Sequence, residues 1–289
     1  MNYIPAVFIV ACYFAWLVPQ IGIHSKLNKE QSIEPASPGF VTSFFEWFGE
    51  LGYFCGHLLR AIFSRPFEGR EFLRQLDEIG SKSLPLVALA GAATGVVLSL
   101  QTRDSLIRFG AKSALPAVIV FSMIKETGPI ITGLVLSGRV GAGIGAELGS
   151  MKVTEQIDAM EVSAVNPYKY LVATRVLACM LMLPLLTTAA NFCGILMGWV
   201  ADTIAEPVSL RLFVNNGFQN LAFSDLLPAT AKTIIFGLII GLIACFQGMR
   251  TKGGTEGVGR SATSSVVLAS LFVILADVVL VKLIIQIWG

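Results

Sequence analysis

Seven charged side chains, Lys125, Glu126, Arg139, Glu147, Lys232, Asp277 and Lys282, stand inside stretches that are otherwise apolar. If those stretches cross a bilayer, each charge costs several kcal/mol unless it is paired or hydrated. A rise of about 1.5 Å per residue places Glu126 about 16 Å from the outer start of its stretch, near Leu115. The same rise puts Lys232 about 9 Å from the outer end of its own stretch and Asp277 about 22 Å from an inner start near Ala262. Three separate segments thus bring opposite charges to comparable depth in the outer half of the membrane. Two chemistries fit: an internal ion-pair cluster that fixes helix packing, or a polar patch in a cavity that meets a charged group of a substrate. A different class of reading uses Glu126 and Asp277 as proton relays. That would make the chain an ion- or proton-coupled secondary transporter of a lipid-like or amphipathic substrate.

Covalent chemistry has no comparable constellation. His24 and His57 lie outside the core apolar stretches, and neither a Ser-His-Asp pattern nor a carboxylate pair spaced for acid–base work is visible. No catalytic residue is expected. Cys12, Cys55, Cys179, Cys193 and Cys245 all sit in apolar sequence without a CxxC or a paired histidine. They read as small hydrophobes, and neither a metal site, a disulfide framework nor a bound cofactor is indicated. The run Gly254-Thr255-Glu256-Gly257-Val258-Gly259-Arg260-Ser261 comes close to a phosphate-binding loop. That loop needs a preceding strand and a lysine reaching the phosphates, whereas apolar helices flank this one and arginine replaces lysine. The chain therefore carries no ATPase of its own. Gly91/Gly95, Gly141/Gly145/Gly149, Gly194/Gly198 and Gly237/Gly241 recur every four residues. That spacing lines one helical face and permits close backbone approach.

The elements that must position these residues follow from composition. Of 289 residues 54% are hydrophobic and 14% charged, with a mean hydropathy of +0.73, against about 25% charged in an ordinary soluble domain. So little charge excludes a water-soluble globule, and so much hydrophobicity excludes disorder. The apolar runs are continuous rather than alternating in segments of about ten, which excludes a β-barrel. The net charge of +2 is too diffuse to indicate nucleic acid. What remains is an all-α polytopic membrane protein. A hydrocarbon core of about 30 Å needs about 20 apolar residues, and the runs 84–100, 115–146, 170–200, 226–246 and 262–288 supply five spans. Two exceed one crossing, and Gly128-Pro129 and Pro184 are the expected breaks.

Ahead of the spans, residues 39–82 mix aromatics (Phe44, Phe45, Trp47, Phe48, Tyr53, Phe54) with arginines (Arg60, Arg65, Arg70, Arg74). This is the composition of an amphipathic helix lying in the membrane interface, and a soluble cytoplasmic helical hairpin is the other reading it allows. Residues 1–38 form an N-terminal extension, an apolar segment over 4–23 followed by a linker. A further membrane segment, a surface anchor and a dispensable extension all fit it. Lysine and arginine in the loops set the orientation. Residues 24–82, 152–175 and 250–260 carry most of them, which puts the interfacial region inside the cell and the C-terminus outside. The loop holding Arg103, Arg108 and Lys112 argues mildly the other way. Between the second and third spans, 154–160 is a short polar segment on the inner face.

The stretch Lys125-Glu126-Thr127-Gly128-Pro129, then Ser137-Gly138-Arg139 and the run from Glu147 through Met151, Glu155 and Asp158 to Met160, resembles the signature of the MlaE/YrbE permease family. Val165-Asn166-Pro167-Tyr168, Lys232, the 253–260 run and Asp277 extend the resemblance, which reaches from about Phe40 to the C-terminus. It implies a permease fold of one interfacial helix and five spans, in a homodimer in the bacterial inner membrane. Two cytoplasmic ABC ATPase subunits would bind inside and a hexameric MCE-domain protein on the periplasmic side. In Mla-type systems a small STAS-domain protein also joins the ATPase. The implied substrate is a phospholipid moved between the inner membrane and the MCE tunnel. By resemblance, the segment near 150–162 is the coupling helix, with Glu155, Gln156 and Asp158 contacting the ATPase. Leu98, Thr102, Ser105, Leu106 and Phe109 follow three- and four-residue steps at the outer end of the first span. By resemblance they line a lipid pocket with Lys125, Glu126, Lys232 and Asp277. Ordinary helix packing explains Leu98 and Leu106 equally well, and either Lys125 or Lys232 could meet a lipid phosphate.

Overall fold

The structure is a computed structural model that describes residues 40–62, 68–219, 221 and 223–288. The extension 1–38 lies outside the described residues. The chain divides into two units, Met1–Gly56 and His57–Gly289. Of the first unit, the described part belongs to α1 (Phe40–Ile62), where Trp47 and Phe48 meet edge to face and Phe45 and Tyr53 are exposed. A helix that presents aromatic side chains outward suits a membrane interface better than water.

The second unit is built of long apolar helices, and no strand occurs among the described residues. After α2 (Gly69–Leu76) and a π-turn (Asp77–Ser81), the first span is α3 (Leu84–Arg108). The second span runs as α4 (Leu115–Ser122), a π-turn (Met123–Thr127), α5 (Gly128–Leu136), a second π-turn (Ser137–Gly141) and α6 (Ala142–Val153). A short α7 (Gln156–Val162) and a π segment (Tyr168–Ala173) lead into α8 (Thr174–Ala205). Then come α9 (Leu210–Phe218), α10 (Phe223–Met249) and α11 (Gly254–Trp288). Five of these helical stretches are long and apolar enough to cross a membrane.

The two expected breaks resolve differently. At Gly128-Pro129 the helix does not stop; a π-turn precedes it, and proline falls in the first turn of α5 directly after that turn. Pro184 lies inside α8, which continues through it. Its cost is one backbone hydrogen bond, which packed neighbours in a membrane bundle tolerate.

Glycine sets how closely the spans approach. A Cβ at Gly91 would collide with the Ala190 carbonyl, and one at Gly95 with the Gly194 carbonyl. Parallel spans α3 and α8 therefore touch backbone to backbone in a four-residue register. Nearer the N-terminal end of α8, Gly237 of α10 would bring a Cβ to 2.6 Å from the Cys179 carbonyl oxygen. This small-residue packing is how helices associate where lipid removes the hydrophobic drive between them.

Candidate functional site

The three charges matched for depth in the sequence meet in one cluster. Lys232 on α10 donates from Nζ to Glu126 Oε2 at 3.0 Å and to Asp277 Oδ1 of α11 at 3.0 Å. Lys232 is 2% exposed and Asp277 8%, while the Glu126 side chain is 48% exposed. A buried ammonium is tolerable only when paired, and here two carboxylates hold it from two different helices. With all three ionised, one positive and two negative charges leave the cluster formally at −1. The cluster therefore has a closed side, Lys232–Asp277, and an open side at Glu126.

The local backbone explains that opening. Glu126 sits in the π-turn Met123–Thr127, whose extra residue per turn displaces it from the α-helical phase of its neighbours. Just beyond, a Cβ at Gly128 would collide with Asn191 Oδ1 of α8, so glycine lets that carboxamide press against the turn. Lys125 places its ammonium 4.4 Å from the centroid of the Phe121 ring, a cation–π contact.

The pocket residues separate into two pairs. Leu98 and Leu106 pack against the buried cluster that contains Leu115, Ile119, Met123 and Ile124, the last two immediately preceding Lys125 and Glu126. Ser105 is exposed, with its hydroxyl donating to the Gln101 carbonyl at 3.4 Å. Phe109, at the C-cap of α3, is 83% exposed. One chain thus brings Leu98 and Leu106 next to the charged turn and leaves Ser105 and Phe109 facing outward.

Beyond the C-terminal end of the second span, α7 starts two residues later than the polar segment 154–160. Glu155 precedes it in a left-handed conformation (φ 59°), and Ala164 beyond its end has φ 59° as well. Ile157 is 1% exposed and anchors the helix, while Lys152 Nζ reaches Asp158 Oδ1 at 2.7 Å. Glu155, Gln156 and Asp158 are all exposed, as is Val162.

One cluster escaped the sequence reading. At the C-terminal ends of α3 and α8, Arg103 approaches Asp202 at 3.8 Å and Glu206 at 3.1 Å, and Glu206 also holds Lys112. Arg103 and Lys112, two of the three loop charges that argued against the orientation, are therefore paired. The signal was present: stepping by four from Gly91/Ala190 through Gly95/Gly194 and Ser99/Gly198 reaches Arg103/Asp202. Further inside, Arg175 is buried, with Nη2 2.8 Å from Glu147 Oε1 and Nη1 donating to the Leu171 carbonyl at 2.9 Å.

Comparison with known proteins agrees with this architecture. The family described as Permease MlaE matches residues 72–283. A probable ABC transporter permease protein of Rickettsia typhi is 34% identical over 229 residues, covering 79% of this chain and 88% of that protein. One from a Synechocystis species is 32% identical over 234 residues, 80% of this chain and 89% of that protein. The chloroplastic protein trigalactosyldiacylglycerol 1 of Arabidopsis thaliana is 31% identical over 266 residues, 89% of this chain and 76% of that protein.

Proposed function

The chain belongs to the MlaE permease family and is a multi-pass ABC transporter permease subunit, and from that premise we propose that it moves phospholipids across the boundary between a bacterial inner membrane and a periplasmic MCE-protein tunnel. Two copies form the working unit, each receiving motion from a separate cytoplasmic ATPase, with a STAS-domain protein as an accessory to that ATPase. The permease itself makes and breaks no covalent bond.

The observation that carries this reading is the pairing of an outer charged cluster with an inner handle on one continuous span. The helix that holds Glu126 in its outer half ends at Val153, beside α7. Helix α7 is anchored by Ile157 and presents Glu155 and Gln156 outward. A push on α7 is transmitted along α6 and α5 to the turn at Lys125 and Glu126. The half-open carboxylate of Glu126 cannot face hydrocarbon cheaply, so a partner copy or a wetted cavity covers it. Leu98 and Leu106 beside this turn supply apolar surface for acyl chains. Lys125 supplies a cation for a phosphate, with Ser105 and Phe109 at the outer rim. The diacylglycerol in the Arabidopsis relative's name supports a lipid as substrate class.

Purification in mild detergent, followed by mass spectrometry of co-eluting subunits and lipids, tests the assembly. An ATPase, an MCE-domain protein and retained phospholipid are expected. Recovery of the chain alone, in a state that still moves substrate, would contradict the reading.

A further inference from the structure

At the inner end of the bundle a cavity of about 450 Å³ opens between the π-turn Asp77–Ser81 and the inner half of the second span. Arg74, Gln75, Glu78, Arg139 and Glu147 form its polar wall, with Ile79 and Ile144 among its apolar residues. Three of the charged side chains already have ionic partners. Glu147 is held by Arg175 at 2.8 Å, Glu78 is paired with Lys82, and Arg74 lies 3.8 Å from Glu71.

Arg139 differs. Among the described residues no carboxylate lies within ion-pair distance of it; Nη1 donates to the Ser83 hydroxyl and to the Glu78 carbonyl at 3.4 Å. The Glu78 carbonyl is available because the turn is π-helical. The Lys82 N–H reaches back five residues to Asp77 O at 3.4 Å instead of four to Glu78. Two neutral acceptors thus fix one nitrogen of the guanidinium, and Nε and Nη2 keep their N–H donors without an acceptor among the described residues. A guanidinium with one edge fixed and the other unoccupied is pre-set for a tetrahedral oxyanion.

Depth identifies the oxyanion. Arg139 lies about 36 Å along its span from Leu115, and Ser83 about 38 Å from the outer end of α3 at Arg108. Both exceed the hydrocarbon core of about 30 Å, so the cavity lies at the level of the inner headgroups. It is about 20 Å along the same helix from Glu126, and so separate from the outer cluster.

We propose that this cavity binds the phosphate of a phospholipid headgroup from the inner leaflet, with Arg139 pairing with the phosphate and Ile79 and Ile144 meeting the glycerol and first methylenes. This rests on the membrane orientation adopted above and not on the outer pocket.

The test reconstitutes the full chain with its co-purifying subunits in phosphatidylethanolamine–phosphatidylglycerol vesicles. The vesicles contain phosphatidylethanolamine carrying a photoreactive group on its headgroup, and adducts are mapped to peptides. Wild-type protein should give adducts on peptides holding 74–79 and 139–147. Arg139→Gln should lower them about tenfold, the loss expected for one charge-assisted hydrogen-bonded contact. Gly143→Leu provides a second route, since Gly143 lines the cavity and an added Cβ there meets nothing within 4 Å. It should fold normally and block the same adducts. Photoreactive diacylglycerol should not label these peptides, and millimolar inorganic phosphate should not compete. Undiminished labelling in both variants, or equal labelling by diacylglycerol, would overturn the proposal, and displacement by phosphate alone would reassign the cavity to a free anion. Labelling of peptides holding 98–109 reports the outer pocket in the same experiment, so failure there is read separately.

Discussion

Lys232 has two partners on different helices, and its removal is not equivalent to the removal of either. Lys232→Met leaves Asp277 buried without its cation, and breaking a buried pair in this way costs about 3–5 kcal/mol. A lowered unfolding midpoint in detergent is expected. Glu126→Gln keeps an acceptor for Lys232 and lies on the open side, so stability should change by about 1 kcal/mol or less while transport is lost. If Glu126→Gln unfolds the protein as readily as Lys232→Met, the cluster serves only to hold the helices together. These three residues were legible because charges are scarce in the apolar runs, and depth arithmetic brought them together. Asn191 was not. Its contact with Gly128 depends on the π-turn before it, and an inserted residue per turn has no compositional mark. Arg139 was visible as a charge but not as a guanidinium fixed on one side, for the same reason: the carbonyl it takes is released by a π-turn in another segment.

At the scale of elements, backbone contact between α3 and α8 makes their glycines irreplaceable. Gly95→Leu would drive a side chain into the Gly194 carbonyl. The spans must separate, and with them the Arg103–Asp202–Glu206–Lys112 cluster at their outer ends. Overpacking of this kind costs about 1–3 kcal/mol or more, readable as a lower thermal midpoint. Gly143→Leu, in open space, should show none of that loss. The handle α7 behaves differently, because its acidic face is exposed. Charge reversal at Glu155 and Asp158 breaks only the Lys152–Asp158 pair, and such exposed pairs contribute about 0–1 kcal/mol. The bundle should stay folded while recovery of the ATPase in pull-down falls at least about tenfold, as expected from losing two charged contacts at the rim of an interface. The five spans were legible from hydropathy and length, and the close helix faces from glycine spacing. Pro184 misled because proline marks a break only when its neighbours cannot compensate for the lost hydrogen bond.

At the scale of the whole molecule, the small stock of charge is distributed by depth. In the proposed orientation, outer pairs clamp α3 to α8, the Glu126–Lys232–Asp277 cluster lies in the outer half of the bundle, Arg139 and Arg175 mark the inner interface, and Glu155 and Gln156 face the cytoplasm. That order suits a subunit in which force enters at one end and lipid is handled at the other. The most direct test of this coupling is transfer of labelled phospholipid by the purified complex reconstituted in liposomes, measured with ATP, with a nonhydrolysable analogue, and with a proton gradient alone. The predicted result is transfer that requires ATP hydrolysis, is lost in Glu126→Gln with the complex intact, and is indifferent to the gradient. Transfer driven by the proton gradient without ATP, and abolished by the same substitution, would contradict it.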